Sequence, residues 1–159
     1  MLHRVIFLDI DGVLVPDGEG VPSCHQFLPR CVEALRSILA AVPRAKVVFA
    51  TTWRMPLHVN RLHEQWTAHG FPEDLAIDGT PDLREETSVP RMYRRGHEIR
   101  AWLEAHPEVT RWVVIDDERL AIESILGNER CVFTKPDRGL TSGDAERAVG
   151  ILMGAEVPS

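Results

Sequence analysis

Apolar residues along this chain fall into two rhythms. Short unbroken runs at 4–8, 46–50, 111–115 and 130–133 are rich in valine, isoleucine and phenylalanine, and each stops at polar residues. Continuous runs of that length predict strands buried on both faces. Between them the apolar positions spread to helical spacing. Residues 28–41 carry Cys31, Leu35, Ile38 and Leu39, 57–69 carry Leu57, Leu62 and Trp66 before Gly70, and 95–105 carry Ile99, Trp102 and Leu103. Further helices are predicted around 119–126 and near 143–153. A Gly/Pro-rich loop spans Pro16 to Pro22. Phe71 to Pro90 follows neither rhythm, apart from Ala76-Ile77, a candidate edge strand ahead of Gly79-Thr80-Pro81. Strands alternating with helices predict an α/β fold of three layers, with a mainly parallel central sheet covered on both faces. With 159 residues and no repeats, low-complexity tract or interdomain linker, residues 1–159 read as a single domain.

Chemistry gathers where the predicted strands stop. The first run ends in Asp9-Ile10-Asp11-Gly12, and open α/β sheets hold their ligands beyond the carboxyl ends of their strands. Ile10 lets the flanking carboxylates approach one centre, and Gly12 permits a turn that other residues would strain. A carboxylate nucleophile beside a second carboxylate suits phosphoryl transfer through an aspartyl-phosphate. The same D-x-D-G pattern also occurs in calcium loops and ordinary turns. Later come Thr51-Thr52-Trp53-Arg54, then Arg91-Met92-Tyr93-Arg94-Arg95-Gly96 ahead of a helix, then Asp116-Asp117-Glu118. Taken singly, Thr51 is also a plain cap, and residues 116–118 are also a helix-start acid cluster.

In the order acid pair, hydroxyl, cation, acid pair, the chain resembles the haloacid dehalogenase-like (HAD) phosphohydrolase superfamily over most of its length. The resemblance implies a Rossmann-like sandwich. Segments 13–44 and 54–91 are too short for the cap that this family usually inserts, so no large cap domain is expected. It also implies an Mg²⁺-dependent phosphatase acting on phosphomonoesters. In that scheme Asp9 attacks phosphorus, while Asp11 protonates the leaving oxygen and then deprotonates water. Thr51 donates its hydroxyl to a phosphoryl oxygen, with Thr52 the candidate should the register slip by one. Mg²⁺, a hard and oxygen-seeking cation, would be held by Asp9, the Asp11 backbone carbonyl and Asp116. Asp117 would bond through water or orient the loop. Gly12, Thr52 and Arg54 are expected on the substrate side, and Trp53 lines the entrance or joins the core.

The family's third motif usually supplies a lysine, and here the only lysines are Lys46 and Lys135. Arg95 is the best substitute, with Arg91 and Arg94 as rivals, and arginine is not equivalent to lysine. The stretches 77–81, 95–99 and 133–141 look like a subgroup of HAD domains found alone or within multidomain RNA-repair proteins. An RNA or DNA end is then the expected phosphorylated partner. The competing reading is a non-catalytic phosphate- or nucleic-acid-binding module with the same fold. A signalling receiver domain also phosphorylates an aspartate, but its acceptor lies on a later strand, against the order here.

Composition narrows the partners. A formal net charge of −6 argues against nucleic acid bound across the whole surface. The positive charge is almost all arginine, which reflects coding bias or a local cluster of Arg54, Arg84, Arg91, Arg94, Arg95 and Arg100 able to grip phosphates bidentately. No apolar run approaches the roughly 18 residues of a membrane span, so no membrane partner is expected. Residues 1–9 belong to the first strand and motif, which leaves no place for a signal peptide. Cys24, Cys31 and Cys131 form an odd set without a pairing pattern, as expected in a reducing cytoplasm. Cys24-His25 with Cys31 fits no standard zinc spacing.

Overall fold

In the computed structural model, which describes residues 3–18 and 25–154, the apolar runs form β1 (Arg4–Leu8), β2 (Lys46–Phe49), β4 (Arg111–Asp116) and β5 (Cys131–Phe133). A further strand, β3 (Ala76–Gly79), comes from the irregular stretch. The helices are α1 (Pro29–Ala41), α2 (Val59–Ala68), α3 (Arg94–Ala105), α4 (Arg119–Leu126) and α5 (Ser142–Met153). Across the sheet the strands run β3-β2-β1-β4-β5, and every neighbouring pair is parallel. This is a Rossmann-like α/β sandwich.

Side chains alternate across a strand, so β1 feeds two cores at once. Ile6 and Leu8 meet α1, α2 and α5, whereas Val5 and Phe7 meet α3 and α4. Phe7 is fully enclosed, with edge-on contacts to Trp102 at 5.3 Å and Trp112 at 6.1 Å between ring centroids. Burying such a side chain contributes about 1.5–3 kcal/mol. Helix starts follow local chemistry. α1 opens on Pro29, whose missing N–H would have had no partner there. α5 opens on a reciprocal Thr141–Asp144 capping box.

Two boundaries differ from the sequence pattern. α2 begins at Val59, and Leu57 is 91% exposed outside it. Pro56 is the reason: Met55 before it is extended, at φ −71° and ψ 154°, as a residue preceding proline is biased to be. β3 continues past Ile77 to Gly79, through a register shift opposite Val47/Val48. Asp78 is accommodated there because its Oδ2 accepts the Trp102 indole N–H at 2.8 Å.

Leu8 of β1 pairs with Phe49 of β2 and Ile115 of β4, so β1 and β2 end level and β4 runs one residue farther, to Asp116. Among the described residues, α1 alone stands between β1 and β2. Between β2 and α3 stand α2, β3 and two single 3-10 turns, Thr52–Arg54 and Arg91–Tyr93. Cys31 and Cys131 are free thiols, and Cys24 lies outside the described residues. Among the described residues, no helix is long and apolar enough to cross a membrane.

Candidate active site

β1 and β4 are neighbours, so the residues that leave them are neighbours too. The Asp9 N–H donates to the Ile115 carbonyl at 3.0 Å and extends the ladder by one step. Asp9 and Asp116 thereby stand side by side at the strands' carboxyl ends, both buried, with Asp117 half-buried next to them. One carboxylate oxygen from each of the three lies within 4.8 Å of the others.

Among the described residues, a single guanidinium pairs with this group. Arg95 Nη1 donates to Asp116 Oδ2 at 2.7 Å and lies 3.3 Å from Asp9 Oδ1. Backbone donors hold the same Asp9 oxygen and the second oxygen of Asp116. Ile10 N–H donates to Asp9 Oδ1 at 2.8 Å and Glu118 N–H donates to Asp116 Oδ1 at 2.9 Å. Burial and the Asp116 charge push the Asp9 carboxyl well above its usual range, against the pull of Arg95. Asp117 is pushed up to about 6 by burial and by Asp116. For Arg95, burial opposes the charged form, yet Asp116 and Asp9 outweigh it and hold the group above the ordinary arginine value.

Two glycines set the spacing. Gly12 is at φ +76°, and a Cβ there would collide with the Asp117 carboxylate. Gly96, directly after Arg95, lets α3 close on α4: a Cβ there would lie 2.7 Å from the Ala121 carbonyl. Thr134, which follows β5, is a contributor that sequence reasoning missed. Its hydroxyl donates to the Gly12 carbonyl at 2.8 Å and its N–H to the Asp116 carbonyl at 2.9 Å. Like Thr51 it is a polar residue just past a buried strand, and position alone does not say which carbonyl its hydroxyl meets.

The other expected site residues are more scattered. The side chain of Asp11 is exposed at the rim, outside the trio of converging carboxylates. Thr51 is fully buried one strand over, where Ala50 N–H donates to the Leu8 carbonyl. Its Oγ1 accepts the Trp53 N–H at 3.3 Å and caps the 3-10 turn, which leaves the hydroxyl hydrogen to give. Thr52 is exposed beside Arg95 on the wall of a cavity. Trp53 is buried in the core and packs against Phe27.

Arg54 is engaged by the protein itself. Its donors reach Thr51 O at 2.7 Å, Thr80 O at 2.8 Å, Pro81 O at 3.3 Å and Glu98 Oε2 at 3.0 Å. Glu98 also accepts the Leu83 N–H at 2.9 Å, which ties the 81–83 segment to α3. Of the three rival cations, Arg95 alone among the described residues pairs with the acids. A roomier cavity of about 760 Å³ lies between α2 and β3, and no residue of the acid trio lines it. Convergent charge, rather than volume, therefore locates the site.

A family model described as "HAD domain in Swiss Army Knife RNA repair proteins" matches residues 5–145. No curated protein and no solved structure matches the chain.

Proposed function

The chain belongs to the family of HAD domains in Swiss Army Knife RNA repair proteins, and from that membership and the acid trio we propose a phosphomonoester hydrolase acting on nucleic-acid ends. The observation that carries the proposal is the convergence of Asp9, Asp116 and Asp117 on one guanidinium. Fully ionised, three carboxylates against one arginine leave two negative charges uncompensated, which is the deficit a divalent cation fills. Asp9, Asp116, Asp117 and the Asp11 backbone carbonyl would hold Mg²⁺. When bound, it supplies positive charge that favours the ionised form of Asp9 and offsets the phosphate's own charge.

The reaction then divides among the chain's residues. Asp9 carboxylate attacks phosphorus in line, a carboxyl oxygen–phosphorus bond forms, and the bond to the leaving oxygen breaks. Asp11 gives that oxygen its proton. Asp11 next takes a proton from water, which attacks the aspartyl-phosphate and releases inorganic phosphate with Asp9 restored. Thr51 donates to a phosphoryl oxygen, and Arg95 stands in for the family's lysine. Arg54 acts as a positioning residue, because its donors are engaged by Thr51, Thr80, Pro81 and Glu98. The free thiols Cys31 and Cys131 fit a cytoplasmic setting.

A second reading, a phosphate-binding module without turnover, draws on the same arginine. Arg95 Nη1 at 3.3 Å from Asp9 Oδ1 engages the nucleophile. Hydrolysis of p-nitrophenyl phosphate and of 3′- and 5′-phosphorylated oligonucleotides, with Mg²⁺ and with chelator, separates the two. The expected result is Mg²⁺-dependent release of phosphate that drops at least about a thousandfold in Asp9→Asn. Turnover that survives Asp9→Asn overturns the aspartyl-phosphate route. Tight oligonucleotide binding without turnover under any metal establishes the module instead.

A further inference from the structure

A cavity of about 250 Å³ sits above the first turn of α3, next to Thr52, and its walls carry Arg54, Arg84, Arg91, Arg94 and Arg95. We propose that this cavity is a second phosphate site, and that it takes the internucleotide phosphate adjoining the reacting one. The proposal deepens the hydrolase reading, on which the identity of the reacting phosphate rests.

The case begins with which arginines are already matched. Arg54 is paired with Glu98, Arg95 with Asp116 and Asp9, and Arg84 with Asp82 at the surface. Arg91 and Arg94 have no acidic partner among the described residues. A guanidinium without an acidic partner has donors to give, and a phosphate oxygen is their natural acceptor. Two acids also line the cavity. Glu98 is neutralised by Arg54, and Glu118 is exposed at the rim. With the other three arginines matched, Arg91 and Arg94 against Glu118 leave a small positive surplus in a chain whose formal net charge is −6, so this spot runs against the surface as a whole.

Size and position identify the anion. At about 250 Å³ the space is below the roughly 300–1,000 Å³ of pockets that enclose a small molecule. It suits a phosphate group and leaves no room to enclose a nucleoside as well. Arg95 lines the cavity and also touches Asp9 and Asp116. An anion there is thus one guanidinium away from the acid trio, and a substrate spanning both places carries phosphates in succession. A nucleic-acid strand does so, whereas a sugar monophosphate does not. Arg100, a sequence neighbour of this cluster, is turned elsewhere, toward His97 and Glu104.

The test measures binding in the full chain carrying Asp9→Asn, so that no turnover is needed. The probes are a fluorescent 5′-phosphorylated dinucleotide, the matching mononucleotide monophosphate and a mononucleotide triphosphate. Combining Arg91→Gln with Arg94→Gln is expected to weaken dinucleotide binding about tenfold, and to flatten the slope of log K against log salt by about 1. The mononucleotide loses less, and Arg100→Gln leaves both probes unchanged. Equal losses for dinucleotide and mononucleotide, or a similar loss from Arg100→Gln, would overturn the second site in favour of general charge attraction. Stronger binding of the triphosphate than of the dinucleotide would overturn the internucleotide assignment. Absence of phosphatase activity in the unmodified chain would sink the hydrolase reading alone, since this outcome is read from binding.

Discussion

Arg54 and Arg95 are hidden to almost the same degree, with 10% and 11% of their side chains exposed, yet their surroundings are opposite. Arg54 meets one carboxylate and three backbone carbonyls, so each of its three nitrogens has an acceptor and its charge has one counterpart. Arg95 meets two carboxylates directly, with a third beside them. Their titration leans in opposite directions. Burial lowers Arg54 despite Glu98, whereas at Arg95 the surplus of acid overcomes burial and raises it. A balanced buried pair has nothing left to recruit, and its role is to fix geometry. An unbalanced one leaves negative charge that a further cation can offset, and that difference separates the brace from the proposed reaction centre.

Breaking each arginine in turn should sharpen that contrast. Arg95→Ala is expected to cut kcat/KM for p-nitrophenyl phosphate by about a thousandfold, with Arg95→Lys retaining more activity than Arg95→Ala. Steady-state kinetics checks it, and a loss no larger than that of Arg54→Met would erase the distinction. Arg54→Met should act first on stability, costing about 3 kcal/mol by leaving Glu98 buried and unpaired. Denaturant unfolding reads this, and the double change Arg54→Met with Glu98→Leu should recover most of the loss. The smallest expected effect is that of the metal. Mg²⁺ at about a hundred times its Kd should raise Tm by roughly 8 °C, and Asp117→Asn should shrink that rise. An equal rise in Asp117→Asn would remove Asp117 from the cation's surroundings.

Much of the site was legible because buried parallel strands admit no polar residue until they end. Val5 to Leu8 and Trp112 to Ile115 are such runs, and the first acids after them, Asp9 and Asp116, are those that converge. Thr51 follows the same logic one strand over. Asp11 does not, since the strand stops at Leu8 and the two-residue alternation stops with it; its side chain ends exposed. The polar braces were not readable at all. Glu98 is 44 positions from Arg54, and Thr134 is 122 from Gly12. Lone polar contacts across such separations impose no periodicity on the sequence. Leu57 fell on the wrong side of a helix start because its spacing looked helical, while Pro56 delayed the helix by local sterics.

The touch of α3 on α4 at Gly96 has a mechanical meaning. The charge we propose for catalysis is seated on a helix whose depth is gauged by a backbone contact, immediately beside the guanidinium. Any methyl there, or any bound protein that wedged these two helices apart, would lift Arg95 from the carboxylates while the sheet stayed whole. The centre would then lose its counter-charge without the molecule unfolding, so this seam is where activity and stability can be uncoupled.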